Sequence, residues 1–480
     1  MTMRRWFVAC TLFLALPLLA ALLIVSNPVA AAASVVAAFL LGLGLVFNAQ
    51  LPGFFLGFVA VLLTGYALLG RGFAYLGVPP LYVGEMALLC GLFTVLAMRG
   101  HLHLGRSPLP WLIAGFMTWG ATCTLPYLST YGLDVLRDGV VWIYGLFALL
   151  VGGLMANRER LERAFDLFAA VMPWFLVWSI LAGLLRHLGG AGELKLPGSQ
   201  VNLISFKGGD VAVHLVGCAV FWLGGLAARH RLPLGSLWVG WSLWLAVFAL
   251  ASTVRAALVT VGAGLLTALL LGPNSRWLKL GAVALALTLP AIALNPQLDT
   301  GGVRKISIDE LALNLKSIVS DDQIAGRSGS KEWRLDWWDD IVDYTFRGPY
   351  FWTGKGYGIN LAESDGYQVG DGSLRQPHNG HIGILAHSGV PGLAFWILLQ
   401  GTFAASLIRA FWRSRRNGAV RWAAINLWLL AYWLAFIVNM TFDVYLEGPQ
   451  GGIWFWSLIG LGMAALEVQR QEAAAAAAPP

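Results

Sequence analysis

A chain of 480 residues that is 58% hydrophobic and 12% charged cannot fold as one soluble domain, because soluble domains carry about 25% charged residues and need polar groups for their surface. The mean hydropathy of +0.69 and the 22 tryptophans indicate a polytopic membrane protein and exclude a disordered or collagen-like chain. The net charge of +7 does not indicate a nucleic-acid partner, because 13 of the 25 acidic residues lie between Asp299 and Asp371 and the bases lie mainly in short turns between apolar runs.

Fourteen apolar runs approach the length of about 20 residues that a membrane helix needs. The sequence predicts spans near residues 6–25, 30–47, 52–69, 81–98, 109–127, 139–155, 164–186, 210–228, 234–252, 255–272, 279–294, 389–411, 422–444 and 453–468. We therefore expect an all-α membrane protein with twelve to fourteen spans. The first run also resembles a signal peptide with a cleavage site at 28–31, but cleavage would reverse the sidedness of every later turn.

The basic residues favour one side of the membrane. If the N-terminus, with Arg4 and Arg5, is cytoplasmic, every second turn is cytoplasmic too. Those turns contain Arg99, Arg106, Arg158, Arg160, Arg163, Arg229, Arg231, Arg276, Lys279, Arg409, Arg413, Arg415, Arg416 and Arg421. This pattern predicts that the long stretch 295–388 lies on the opposite, outer side of the membrane, which is the periplasm if the cell is Gram-negative.

The chain is accordingly divided into four parts. Residues 1–294 are expected to form N-terminal membrane helices, 295–388 a large periplasmic catalytic loop, 389–470 the C-terminal membrane helices, and 471–480 a disordered Ala-rich tail. A loop of this length is unusual unless it has a function.

One segment of the large loop has the periodicity of a helix. In residues 330–346, Trp333, Trp337, Ile341 and Tyr344 follow one another at helical spacing and form an aromatic stripe opposite an acidic face. We expect this helix to lie along the membrane interface, where Trp and Tyr are enriched. The Gly-rich segment after it is interpreted as a tight turn, because a phosphate-binding loop would need a preceding strand and a following helix.

Three histidines follow near the end of the loop. His378 and His381 are three residues apart, and His387 comes later in the same predicted helix, which Pro377 is expected to start at about His378. A metal site is one interpretation of this spacing, but no carboxylate joins the histidines at helical spacing. We favour packing roles for His381 and His387 and a general-base role for His378, because an imidazole titrates near neutrality.

Two arginines on the predicted outer side are candidates for binding an anion. Arg255 interrupts two apolar runs, and an arginine inside the membrane costs at least about 2.5 kcal/mol to insert. The alternatives are that it reaches outward to solvent or pairs with an acid such as Asp443. Arg334 lies in the aromatic helix and has acidic neighbours as alternative partners. Lys207 is a weaker addition to the same positive surface.

Three motifs in this order resemble those of the O-antigen ligase and polymerase family. They are STVRAAL at 252–258, WRLDWW at 333–338 followed by TGKGYG at 353–358, and His378-Asn379 followed after nine residues by Gly389, with Gly392 three residues further on. The resemblance covers the second half of the chain by motif and the first half by hydropathy alone. The family has about twelve spans, whereas up to fourteen are counted here.

The resemblance implies a membrane glycosyltransferase of the GT-C type that uses neither a metal nor another cofactor. Such an enzyme moves a glycan from undecaprenyl diphosphate to an acceptor, here expected to be lipid A-core, at the outer face of the inner membrane. By the same resemblance His378 is the base, and Arg255 and Arg334 hold the diphosphate with help from Lys207. Arg327 is the alternative loop arginine, and Asn379, Gly389 and Gly392 support the motif.

Other functions remain open from the sequence. A polymerase that extends the glycan and a protein O-oligosaccharyltransferase share these motifs. A transporter would fit the number of spans, but it predicts inverted repeats and ionisable residues near the middle of the bilayer. No repeat is visible, and the candidate charges cluster at one face. The expected partners are the lipid-linked glycan, the acceptor and membrane lipids, with no nucleic acid.

Overall fold

The computed structural model describes residues 51–78, 81–98, 102–185, 195, 201–205, 207–229, 235–272, 275–295, 297–298, 305–319, 329–370 and 372–477. The chain is an all-α polytopic membrane protein, with one small antiparallel hairpin of strands β1 (Gly77–Val78) and β2 (Leu81–Tyr82) in the described part. Its helices are α1 (Leu51–Leu69), α2 (Arg71–Ala74), α3 (Val83–Ala97), α4 (Leu109–Thr122), α5 (Leu128–Tyr131), α6 (Leu133–Ile143), α7 (Gly145–Leu154), α8 (Arg158–Leu185), α9 (Gly208–Leu223), α10 (Gly235–Thr253), α11 (Arg255–Leu271), α12 (Ser275–Leu294), α13 (Ile308–Val319), α14 (Gly329–Phe346), α15 (Leu361–Ser364), α16 (Gly380–Arg416), α17 (Val420–Met440) and α18 (Pro449–Ala477).

The predicted spans from residue 52 onward each coincide with a helix or a bent pair of helices. Within the described residues, five helices are long and apolar enough to cross a membrane, namely α1, α8, α16, α17 and α18, and the pair α6–α7, bent by 41°, makes a sixth. Five further apolar helices, α3 and α9 to α12, contain shorter apolar segments of 10–17 residues. The predicted spans at 6–25 and 30–47 and the alternative cleavage site lie outside the described residues.

The centre of the bundle is formed by α9, α11 and α17, which pack against one another. Helix α9 is largely apolar, and every residue from Gly209 to Leu223 is buried, including Asp210 and His214, as expected of a helix enclosed by other helices. The indole of Trp428 in α17 donates a hydrogen bond of 2.9 Å to the carbonyl oxygen of Gly217 in α9. This bond satisfies a polar group that would otherwise be costly in an apolar interior.

The basic turns meet at one end of this bundle. Arg421, after α16, pairs with Glu162 at the start of α8. Arg415 donates to the carbonyl oxygen of Leu271, at the end of α11, at 2.6 Å. The charge pattern assigned these turns to one side of the membrane, and the contacts show that they lie close together. Helices α9, α11 and α16 begin at the opposite end of the bundle.

A second, smaller core lies at that opposite end and corrects the expectation for the aromatic stripe. Trp337 and Ile341 of α14 are fully buried, and they pack with Leu361 of α15 and with Leu385 and Ala386 of α16. The helix itself was correctly predicted, but its aromatic face packs on protein rather than facing the membrane interface. An amphipathic pattern cannot distinguish these two apolar surroundings.

Two predicted boundaries also differ from the structure. The C-terminal helices were expected from residue 389, but α16 already begins at Gly380, and Gly389 is a break inside it. The tail from 471 was expected to be disordered, yet α18 continues as helix to Ala477. Alanine is the strongest helix former, so an Ala-rich segment readily extends a helix that is already nucleated.

Candidate functional site

His378 lies immediately before α16, at the end of the bundle where α9 and α11 also begin. Its backbone has a φ of 53°, which is uncommon for a residue with a side chain. Asn379 follows in an extended conformation, and its Oδ1 atom accepts hydrogen bonds from the amides of His381 (3.0 Å) and Ile382 (3.3 Å). Asn379 is therefore the N-cap of α16, and the helix starts two residues later than predicted.

The segment before His378 is anchored on both sides. Trp338 of α14 donates from its indole nitrogen to the carbonyl oxygen of Pro377 at 2.7 Å. Arg375 donates to Oδ2 of the buried Asp138 in α6 at 2.8 Å, and to the carbonyl oxygen of Gly358 at 3.0 Å. These bonds hold the strained backbone at His378 in place. Strained residues held by their surroundings are common at functional sites, where the side chain must be positioned accurately.

Asp443, between α17 and α18, is the carboxylate nearest to His378 in the described part of the chain. Its Oδ1 atom lies 3.7 Å from Nδ1 of His378. Lys207, the residue before α9, binds both carboxylate oxygens with its Nζ atom, at 2.8 and 2.6 Å, and the amide of Val444 donates to Oδ1 at 2.9 Å. Burial opposes ionisation, but His378, Lys207 and the Val444 amide together hold the pKa of Asp443 well below its usual range. Asp443 is therefore ionised at neutral pH.

The sequence suggested Asp443 only as a possible partner of Arg255, and it did not indicate the pairing with His378. The structure also gives Lys207 a partner that the sequence did not indicate. Its side chain is 60% exposed, so it can contact solvent or a ligand while it holds Asp443.

Arg334 is brought to the same place by α14. Its Nη1 atom donates to the carbonyl oxygen of Phe442, one residue before Asp443, at 3.3 Å. Its Nε atom is buried and has no hydrogen-bond partner in the part of the chain that the structure describes. Burial and the nearby charge of Arg255 lower the pKa of Arg334, whereas Asp443 raises it. An anion bound here would relieve both unfavourable effects.

Arg255 is the first residue of α11 and is half-buried. Across the described residues its side chain makes no hydrogen bond or ion pair, so the alternative of a pair with Asp443 is not observed. The amide of Asn314 in α13 donates to the carbonyl oxygens of Ala251 and Ser252, at 2.9 and 2.6 Å, and thereby caps the end of α10 just before Arg255. An unpaired guanidinium at a helix N-terminus, where the helix dipole is positive, is suited to an anionic group.

The predicted motif glycines have a structural role. Gly389 has a φ of 66°, and a Cβ atom there would lie 2.5 Å from the carbonyl oxygen of Phe351. The break lets the amide of Val390 donate to that oxygen at 2.8 Å, and the amide of Lys355 donates to the carbonyl oxygen of Ala386 at 2.7 Å. The Gly-rich segment is thus a turn that follows α14, as predicted, and it also forms hydrogen bonds to α16.

Gly392 is needed for a different reason, because a Cβ atom at this position would lie 2.0 Å from Oγ of Ser388.

His381 and His387 are used for packing. His381 accepts a hydrogen bond from the indole of Trp396 at 3.1 Å, and its other ring nitrogen lies 3.2 Å from the carbonyl oxygen of Ile437. The ring nitrogens of buried His387 contact Gln376 and the carbonyl oxygen of Gly356. The packing roles are confirmed. The described residues contain no group of three or more His, Cys, Asp or Glu side chains that could hold a metal ion.

The arrangement combines a base next to a carboxylate with three cationic groups, of which Arg255 has no side-chain partner among the described residues and Arg334 has a buried Nε atom without one. His378, Asp443, Lys207 and Arg334 are joined by direct contacts or by one intervening residue, and Arg255 is close enough to affect Arg334 electrostatically. Arg327 lies outside the described residues. Such a site can deprotonate a hydroxyl group and stabilise a phosphate leaving group.

The fold and the site thus define a polytopic membrane protein with a histidine and several cationic groups at one end of its helical bundle. Residues 240–397 match the family model described as O-Antigen ligase. A protein of Pseudomonas aeruginosa named O-antigen ligase is 28% identical over 247 residues, which are 48% of this chain and 53% of that protein. The match spans about half the length of this curated relative. The resemblance seen in the motifs is confirmed as a similarity to O-antigen ligases over this part of the chain.

Proposed function

We propose that the protein transfers a polysaccharide from undecaprenyl diphosphate to lipid A-core at the periplasmic face of the bacterial inner membrane. The observation that carries this proposal is the proximity of His378 and Asp443 to two arginines, Arg255 and Arg334, that form no ion pair with any described carboxylate. The family match supports it, because residues 240–397 include both arginines and His378.

The proposed reaction needs two kinds of group. A hydroxyl group of the acceptor attacks the sugar carbon that is bound to the diphosphate. The new glycosidic bond forms as the bond to the diphosphate oxygen breaks, and the bonding electrons leave with the diphosphate. Nε2 of His378 takes the hydroxyl proton, and the ionised Asp443 stabilises the imidazolium that results. Proton transfer of this kind typically contributes about 10²–10⁴-fold to the rate.

The cationic groups stabilise the leaving diphosphate. The guanidinium groups of Arg255 and Arg334 offer paired N–H donors that match phosphate oxygens. They supply positive charge that a divalent metal supplies in other phosphate-leaving reactions, so the proposed mechanism uses no metal. Lys207 is proposed to balance the charge of Asp443 and to contact the diphosphate from its exposed side.

The sidedness of the proposed site follows from the positive-inside rule. The basic turns that meet at the other end of the bundle are proposed to be cytoplasmic, and His378 and the stretch 295–388 are accordingly proposed to face the periplasm. The long lipid tail of the donor is then accommodated in the membrane while its diphosphate reaches the outer end of the bundle.

Product analysis with a purified lipid-linked glycan tests this function. The protein is incubated with the donor alone, with donor and lipid A-core, and with donor and an acceptor peptide rich in Ser and Thr. The proposal predicts transfer to lipid A-core and release of undecaprenyl diphosphate in the second reaction only. Lengthening of the lipid-linked glycan in the first reaction would instead identify a polymerase, and glycosylation of the peptide would identify a protein O-oligosaccharyltransferase.

A further inference from the structure

The end of the bundle opposite His378 carries three arginines that the proposed transfer does not use. Arg409, Arg413 and Arg416, here named the α16 arginine cluster, lie at i, i+4 and i+7 in the last turns of α16, and all three are exposed. This spacing places them on one helix face. Together with Ile408 and Trp412 they line an open cavity of about 680 Å³.

The α16 arginine cluster lacks acidic partners. In the described part of the chain, its side chains form no ion pair or hydrogen bond, whereas other arginines at this end are paired, such as Arg158 with Glu472 and Arg470 with Glu467. The two carboxylates that line the neighbouring cavity of about 560 Å³ are these same Glu467 and Glu472, and they are already bound. Outside the described residues the acidic residues are Glu193, Asp299, Asp321, Asp322 and Asp371, and none of them belongs to the basic turns that meet at this end. The charge of the cluster is therefore available to an anion from outside the chain.

Exposed apolar side chains on the same helix, here named the apolar track, extend from the cluster along the outer surface of the bundle. Ile397, Ile408 and Trp412 are 58%, 38% and 40% exposed, and the helix positions between them include the exposed Gly401. Ile397 and Ile408 are separated by about 16 Å at 1.5 Å per residue, which is about half of a hydrocarbon core that is roughly 30 Å thick. Trp412 lies next to the arginines. Tryptophan is enriched at the boundary between lipid headgroups and acyl chains, so this position is consistent with that boundary.

We propose that the α16 arginine cluster binds the phosphate of an anionic phospholipid whose acyl chains lie along Ile397 and Ile408. The forked guanidinium groups match a phosphodiester, and basic pockets between membrane helices bind acidic headgroups. The rule that cytoplasmic turns are basic accounts for the number of arginines here. It does not account for a cavity in which they have no partners and from which an apolar track leads away.

Native mass spectrometry of the detergent-purified protein tests this binding. The protein is equilibrated with equal amounts of dioleoyl phosphatidylglycerol and dioleoyl phosphatidylcholine, and the bound lipids are counted. The proposal predicts that the wild type retains phosphatidylglycerol at least about tenfold better, because each arginine near an acidic headgroup contributes roughly a fivefold preference. Millimolar inorganic phosphate should not displace the lipid, since it cannot use the apolar track.

The variants separate the cluster from general surface charge. The triple variant R409Q/R413Q/R416Q should lose the preference, and the control R163Q, which removes an exposed arginine that is paired with Glu159 at the same end, should keep it. If the triple variant does not fold, each single glutamine variant should lower the preference about fivefold. Equal retention of both lipids by the wild type, an unchanged preference in the variants, or displacement by phosphate would overturn the proposal.

Discussion

Replacing Asp443 by asparagine tests how far the proposed base depends on its carboxylate. The substitution keeps the size of the side chain and removes its charge. At the 3.7 Å that separates Oδ1 from Nδ1 of His378, and with an effective dielectric constant of about 20, the carboxylate stabilises an imidazolium by at most about 4.5 kcal/mol. Lys207 opposes part of this effect, so we expect the rate to fall by about 10²-fold rather than by the upper limit of about 10³-fold.

The assay is the initial rate of glycan transfer at saturating donor and at limiting donor. Because Asp443 is proposed to act through His378, kcat should fall while KM changes little. Asp443→Asn should also have little further effect in a protein that already carries His378→Ala, because the two groups act as a unit. The matched control is Asp343→Asn, which removes an exposed carboxylate of α14 that pairs with the exposed Arg347. A rate within about threefold of wild type in Asp443→Asn, or a full additional loss in the double variant, would refute the reasoning.

Three further predictions concern the arginines, the helix break and pH. Arg334→Lys should lose about 10-fold or more in kcat/KM because a lysine cannot form two parallel hydrogen bonds to a phosphate, whereas a full retention of activity would argue against that contact. Gly389→Ala should lower the thermal transition temperature and destabilise the protein by about 1–3 kcal/mol, because φ at this position is 66° and the added Cβ atom would lie 2.5 Å from a carbonyl oxygen. The control is Gly401→Ala, whose added Cβ atom would have no other atom within 4 Å. This control should be neutral or stabilising. The pKa of Asp443 is lowered in the folded protein, so its stabilising effect is complete above the unfolded value of about 3.9 and is lost only below it. The stability difference between wild type and Asp443→Asn should therefore be at least as large at pH 5 as at pH 7, and a difference that disappears by pH 5 would contradict the assignment.

The helices of the bundle were predictable from their apolar runs. In lipid, backbone N–H and C=O groups have no water to bind, and a helix satisfies them within its own segment. A helix entry near His378 was predicted because a proline precedes an apolar run there, and the observed helix starts two residues later, at Gly380. The aromatic stripe of α14 shows the limit of this reasoning. Its periodicity identified a helix, but whether Trp337 faced lipid or protein depended on the packing of residues far away in the chain.

Asp443 could not be assigned to the site from the sequence. It lies 65 positions after His378, and its contact with the histidine depends on how α16 and α17 pack and on the position of Lys207 before α9. No local pattern in the sequence records such a contact. Arg255 was identified because a charge next to an apolar run is costly, whereas its lack of an acidic partner among the described residues is a property of the fold.

The most direct test of the central claim is glycan transfer from a purified undecaprenyl-diphosphate-linked glycan to lipid A-core in the presence of EDTA. The comparison is between wild type, His378→Ala and Arg255→Ala, each checked for folding by its thermal transition. The proposed mechanism predicts full wild-type transfer with EDTA and a loss of at least about 10²-fold in each variant. Transfer that EDTA abolishes, or that persists in a folded His378→Ala variant, would contradict a metal-free mechanism with His378 as the base.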